Sequence, residues 1–149
     1  MLERLAIRDL VLVERAEVAF APGLNVLTGE TGAGKSLLVQ AVDLLTGGRA
    51  DADVVREGAR AAVVEGEFRP SPRALDRIRP LLDSWGVTPD DGALIVRREV
   101  QPEGRSVGHL DITGVVEGKG LSDPAGAECH VLRRCAGMAV DGVGGVALR

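Results

Sequence analysis

Eight residues restrict the fold of this chain more than any others: Gly29-Glu30-Thr31-Gly32-Ala33-Gly34-Lys35-Ser36. They satisfy G-x-x-x-x-G-K-[ST] at every fixed position, the pattern of a loop that wraps phosphates. Glycines let the backbone curl until successive N–H groups point at one anion. A helix opening at the end of the loop adds its free N–H groups and the positive end of its dipole. In such a loop the lysine neutralises the β- and γ-phosphates and the serine hydroxyl ligates Mg²⁺. A chain with this loop needs an apolar strand before it and an amphipathic helix after it. That requirement points to an α/β fold.

The flanking sequence meets the requirement. Leu24 to Thr28 reads as a short apolar strand running into the loop. The helix is expected from about Lys35 to Thr46, with Leu37, Leu38, Ala41, Val42, Leu44 and Leu45 as its apolar stripe. Gly47-Gly48 ends it with a left-handed cap. The use of lysine points the same way. Of 18 basic side chains only two are lysines, and Lys35 is the only one before Lys119. A chain that otherwise uses arginine keeps a compact ammonium where a planar guanidinium would not fit between phosphates.

Upstream, residues 4–8 and 10–13 read as strand material broken near Asp9. Glu14 to Phe20 alternates, with Ala16, Val18 and Phe20 on one face and Arg15, Glu17 and Ala19 on the other. Ala21-Pro22-Gly23 is a turn. Downstream, a polar connector from Arg49 to Arg60 leads to a strand over 61–68, which turns Ala62, Val64, Gly66 and Phe68 to one side. Ser71-Pro72 starts a helix with stripe Leu75, Ile78, Leu81, Leu82 and Trp85, which Pro80 is expected to kink or split. A strand over 93–100, the turn Gln101-Pro102-Glu103-Gly104 and a partner strand from near Arg105 complete the pattern. Arg97 and Arg98 fall on opposite sides of their strand and read as salt-bridged surface arginines. Phe20, Phe68 and Trp85 lie in apolar stripes and are expected in the core, so no adenine platform is legible.

From Val107 the pattern fades, with nine glycines up to residue 149 and no sustained period of 2 or 3.6. This stretch is expected to be poorly ordered or non-native. A shifted reading of GC-rich codons would give its excess of Gly, Ala, Val and Arg. Cys129, His130 and Cys135 fall here, without the second cysteine pair that a structural zinc site needs. The 149 residues suffice for one domain, and no apolar run reaches 18 residues. Met1-Leu2-Glu3-Arg4 opens no apolar signal segment, so a cytoplasmic location is expected. A net charge of −4 excludes a broadly basic nucleic-acid-binding surface but not a local patch.

Residues 1–106 resemble the N-terminal part of the RecN family, bacterial DNA-repair ATPases related to SMC and other ABC-type heads. The resemblance rests on several stretches. The opening run from Met1 to Glu14 resembles the family's first strand pair, and Gly23-Leu24-Asn25-Val26-Leu27-Thr28 leads into the loop. The loop wording Gly-Glu-Thr-Gly-Ala-Gly-Lys-Ser is more specific than the general motif. Val55-Arg56-Glu57-Gly58, residues 62–68, residues 94–100 and Glu103-Gly104-Arg105-Ser106 resemble the segments that follow.

The resemblance implies a partial ABC-type (SMC-like) P-loop NTPase head, with an antiparallel strand layer beside the P-loop strand and helix. It divides the chain into an ATP-binding lobe, 1–106, and a Gly-rich tail, 107–149. It implies ATP and Mg²⁺ as cofactors, held by Gly29, Glu30, Thr31, Gly32, Ala33, Gly34, Lys35 and Ser36, with Ser36 on the metal. Glu30 and Thr31 lie on the outer arc and have no assigned chemistry. Arg56, 21 residues after Lys35, is a candidate nucleotide or DNA contact. Arg8 and Arg15 could line a DNA-facing edge, but nothing in the sequence separates that from ordinary surface charge. DNA and a second head, joined by homodimerisation, are the implied partners in recombinational repair of double-strand breaks, with no membrane. The Walker B carboxylates, the signature, the Q-loop and the switch histidine do not occur in these 149 residues, so this chain is expected to bind Mg·ATP without hydrolysing it. Two other readings remain open: another P-loop ATPase, such as a transporter subunit or a nucleotide kinase, and an inactive fragment.

Overall fold

A computed structural model describes residues 1–28, 33–84, 92–103 and 106–111, with residues 33 and 107–111 described by backbone alone. Five strands form one antiparallel sheet in the order β2-β1-β3-β4-β5. They are β1 (Leu2–Leu10), β2 (Val13–Ala19), β3 (Ala62–Phe68), β4 (Leu94–Val100) and β5 (Ser106–Asp111). Helices α1 (Ala33–Leu45) and α2 (Pro72–Ser84) lie in the β2–β3 and β3–β4 connections.

The alternation read from the sequence sets the faces. On β3, Ala62, Val64 and Phe68 are buried, as are Leu94, Val96 and Val100 on β4 and Leu5, Ile7 and Leu10 on β1. Their side chains meet Leu37, Ala41, Leu44 and Leu45 of α1 and Ile78 and Leu82 of α2. Burying each Leu or Ile contributes about 1.5–3 kcal/mol, so this single-sided core is the main stabilising element. Phe68 lies in the core and Phe20 packs against it, as expected; Trp85 falls outside the described residues. The opposite face of the sheet is open and carries charge.

Gly66 lets α1 approach the sheet. A Cβ there would stand 2.7 Å from Leu45 Cδ1 and 2.9 Å from Phe68 Cε2. The end of α1 is a Schellman cap: the Gly48 N–H donates to Asp43 O at 2.7 Å and the Gly47 N–H to Leu44 O at 3.1 Å, with Gly47 at φ +87°. The start of α2 also follows the sequence, with Ser71 Oγ accepting from the Ala74 N–H at 3.3 Å.

Two expectations are corrected and one is narrowed. Residues 24–28 form no strand; Leu24 and Val26 are 65% and 62% exposed. An apolar extended segment becomes a strand only beside a neighbour that takes up its backbone hydrogen bonds, and no described strand runs along it. Of the two outcomes expected at Pro80, a kink or a split, the split does not occur: α2 runs unbroken from Pro72 to Ser84. Pro80 and Asp76 are both exposed, so the carbonyl that loses its donor faces water. Arg98 is not a surface arginine. It is only 6% exposed, because its side of β4 faces the end of α1.

The partner strand expected near Arg105 is β5. It pairs with β4 from Val100↔Ser106 to Ile95↔Asp111, so the sheet continues past residue 106. Cys129, His130 and Cys135 lie outside the described residues.

Candidate phosphate-binding site

Gly29, Glu30, Thr31 and Gly32 lie outside the described residues, as does the side chain of Ala33. Gly34, Lys35 and Ser36 form the first turn of α1. The first four N–H groups of any helix have no partner within it, so this turn presents donors as well as the positive dipole end. It contains no acidic residue to compete for them. Gly34 and Ser36 are exposed and Lys35 is half-buried. Among the described residues, a Cβ on Gly34 would meet no atom within 4 Å, so on that side the turn is open. Donors, one ammonium and one hydroxyl on an open helix start suit the phosphates of a nucleotide. For Mg²⁺ this turn offers only the Ser36 hydroxyl, and no group of three His, Cys, Asp or Glu residues among the described ones would complete a metal site. The remaining ligands would come from phosphate oxygens and water.

The turn ahead of the loop and the far end of α1 are each held by side-chain hydrogen bonds. Ahead of the loop, Asn25 closes the turn over residues 21–25. Its Oδ1 accepts from the Ala21 N–H at 2.9 Å, while Nδ2 donates to Ala21 O at 2.8 Å and Gly23 O at 3.2 Å. At the far end of α1, Arg98 Nη1 donates to Leu44 O at 2.8 Å and Gly48 O at 2.6 Å, and Nη2 donates to Ser106 Oγ at 3.1 Å. A cation sits where the helix dipole is negative and ties α1 to the β4–β5 hairpin. Sequence reasoning missed this residue. The inward alternation of Leu94, Val96, Arg98 and Val100 was the available signal.

Arg56 is held elsewhere. Its guanidinium lies 3.4 Å from Asp9 Oδ1 and 3.7 Å from Glu14 Oε2, and its N–H donates to Asp9 O at 2.9 Å. Val54 O accepts from the Val11 N–H at 2.8 Å, and Val55 bridges Leu10. Residues 54–56 thus lie along the β1–β2 turn, where Asp9 and Val11 adopt φ of +50° and +51°. A β-branched residue seldom tolerates that conformation, and these contacts hold Val11 in it.

A family model described as an AAA domain matches residues 4–83, which take in β1 through most of α2, including the loop and α1. The chain belongs to this AAA-domain family. The chain is also similar to two bacterial DNA repair proteins RecN. That of Halalkalibacterium halodurans is 39% identical over 136 residues, covering 87% of this chain and 24% of the relative. That of Streptomyces coelicolor is 47% identical over 104 residues, covering 70% and 18%. The AAA-domain chain therefore spans about a quarter or less of the length of these relatives. Its alignment with the H. halodurans protein runs past residue 106, since it takes in 87% of 149 residues.

A solved structure of an SMC ATPase, studied for ATP-driven dimerization and DNA-stimulated activation, superposes with a TM-score of 0.65. It is 20% identical and covers 98% of this chain and 85% of that one. The fold is accordingly the α/β architecture of an SMC-type ABC ATPase head, represented here by its antiparallel sheet and the two helices packed on it. No helix among the described residues is long and apolar enough to cross a membrane.

Proposed function

We propose that this chain is the ATP-binding segment of a DNA-repair ATPase head of the RecN kind. The observation that carries the reading is the coincidence of the full Gly29–Ser36 motif with an open, acid-free first turn of α1 that presents Lys35 and Ser36. Residues 29–36 wrap the phosphates through their backbone N–H groups. Lys35 neutralises β/γ charge, and Ser36 supplies one oxygen to Mg²⁺. ATP bound here draws two heads together in a protein that acts on broken DNA in the cytoplasm, at the nucleoid, during recombinational repair. The ATP-driven dimerization and DNA-stimulated activation of the SMC neighbour support that part by analogy of fold alone. The chain as given binds Mg·ATP without turnover. Arg56 serves a nucleotide or DNA contact when it is released from Asp9 and Glu14.

The test is a titration of the chain with a fluorescent ATP analogue and Mg²⁺, beside Lys35→Ala. The wild-type chain saturates, and Lys35→Ala weakens binding by about 10-fold or more, as expected for loss of one charge-assisted contact of ~1.5–3 kcal/mol. Equal binding by the two forms would remove the phosphate-loop assignment. ATP hydrolysis by the pure chain, abolished in Lys35→Ala, would overturn the statement that it binds without turnover.

A further inference from the structure

The turn between β1 and β2 is held in a conformation that its residues do not favour. Asp9 and Val11 have φ of +50° and +51°. An aspartate tolerates the left-handed region, whereas a β-branched residue strains its backbone there. Hairpin turns that need positive φ normally place Asn or Gly at such positions. Here the sequence places Val11, which packs against the core and has no side-chain group to ease the strain.

The contacts that hold the turn come from residues 54–56. Val54 O accepts from the Val11 N–H at 2.8 Å, the Arg56 N–H donates to Asp9 O at 2.9 Å, and Val55 lies opposite Leu10. This is one antiparallel bridge and not a strand, since β3 begins only at Ala62. Val54 is 4% exposed and belongs to the core, while the Arg56 guanidinium reaches Asp9 and Glu14.

The forces on this strap oppose one another. Burial of Val54 and the two backbone bonds close it. The strain at Val11 opens it, and strain of that kind is comparable to the net contribution of a hydrogen bond. The ion pairs add little, because they are long, at 3.4 and 3.7 Å, and the Arg56 side chain is 41% exposed. The chain on either side can move. Arg49, Asp51, Ala52 and Asp53 are exposed. Gly58 has φ +80°, and among the described residues a Cβ there would meet no atom within 4 Å, as suits a hinge.

We propose that residues 54–56 are a strap sprung against the β1–β2 turn. Closed, it keeps Val11 strained and holds Arg56 between Asp9 and Glu14. Opened as a unit, it lets Val11 return to extended backbone and frees the guanidinium for another anion. The strain at Val11 offsets part of what the broken backbone bonds cost, so Arg56 is released more readily than its contacts alone would allow. The role of the strap rests on the Arg56 contact proposed above, while the strap itself is tested without nucleotide.

The experiment is native-state hydrogen exchange on the full chain, read at the amides of Val11 and Arg56 and, for global unfolding, at Val64 in β3. Val11 and Arg56 exchange together and faster than Val64. The decisive variants are Val11→Asn and Val11→Thr. Both replace an apolar side chain by a polar one, but asparagine accepts the left-handed region and threonine, being β-branched, stays strained. Relief of the strain makes both amides about 10-fold better protected in Val11→Asn than in Val11→Thr. The pair Val11→Gly and Val11→Ala repeats the contrast if the polar variants do not fold. Asp9→Asn/Glu14→Gln removes both carboxylates and lowers protection at the two amides by about 5-fold. Lys35→Ala leaves them as in the wild type, so the nucleotide reading and this one fail separately. Equal protection in Val11→Asn and Val11→Thr overturns the proposal. So does exchange of Val11 and Arg56 at unrelated rates, or exchange of both only with Val64.

Discussion

Replacing Arg98 by Met tests whether one buried guanidinium fastens α1 to the sheet. The side chain is 6% exposed and donates to the carbonyls of Leu44 and Gly48 and to Ser106 Oγ. Leu44 O keeps a second donor, the Gly47 N–H, so its loss is partial. Gly48 is buried and its carbonyl would lose this donor, at about 1–3 kcal/mol. Removing a cation from a partly buried helix C-terminus adds up to about 1–2 kcal/mol. Methionine fills most of the volume and relieves the guanidinium's own desolvation, which trims the sum to about 2–4 kcal/mol. A domain of this size has about 5–15 kcal/mol in total, so the change removes a large fraction of it. Urea unfolding reads it as a lower midpoint at unchanged slope. A thermal scan reads it as a fall of at least about 8 °C. Arg98→Lys, which keeps the charge but not the fork, falls between. Arg97→Met, on the exposed side of the same strand, changes stability by no more than about 0.5 kcal/mol. If Arg97→Met and Arg98→Met prove equally stable, the account of Arg98 as a helix anchor is wrong.

Other consequences can be measured on the same chain. Gly66→Val drives two methyl groups toward Leu45 and Phe68, and overpacking of this kind costs about 1–3 kcal/mol in a urea titration; a neutral result would mean that α1 does not sit as close to β3 as described. Ser71→Ala removes the cap of α2 and lowers stability by about 0.5–2 kcal/mol, while Ser71→Asp retains it. Burial holds the Met1 ammonium, which donates to Arg69 O, below its ordinary titration range despite the opposing pull of Glu3. In the window between that lowered value and about pH 8 the unfolded chain binds more protons than the folded one, so stability rises with pH there and levels off above it. Urea midpoints between pH 6 and 9 should follow that course for a chain with a free amino terminus, and acetylation of the terminus should abolish it.

Much of the sheet is legible because a half-buried strand has to alternate. Ala62-Val63-Val64-Glu65-Gly66-Glu67-Phe68 announces its two faces, and the structure assigns the inward one to Ala62, Val64, Gly66 and Phe68. Caps are legible for a related reason: Gly47-Gly48 and Ser71-Pro72 act within a few residues of themselves. What the sequence hides is what depends on distant partners. Leu24 to Thr28 has strand composition, but only a neighbouring strand would make it one. Arg98 looks like Arg97 until the fold brings the end of α1 to it across 50 residues. Pro80 leaves the helix unsplit because its turn faces solvent, a fact about the whole domain and not about the motif. The loop motif is a pattern of residue types whose first half, residues 29–32, lies outside the described residues, whereas the reach of Arg56 depends on the turn that holds it.

The order β2-β1-β3 gives this domain a temporal problem. β1 is synthesised before β3 whatever precedes it, yet its inner edge pairs with a strand about 60 residues later: Leu5↔Gly66 and Ile7↔Val64. At translation rates of 5–20 residues per second the hairpin β1–β2 waits roughly 2–10 s for that partner. Meanwhile Leu5, Ile7 and Leu10, all fully buried in the finished domain, have nothing to cover them, and one edge of β1 offers its backbone to any passing strand. The Gly29–Ser36 segment and α1 are made during this interval, inside the connection that must close. Slowing synthesis across residues 20–60 should therefore lower the yield of soluble domain more than slowing it after residue 70.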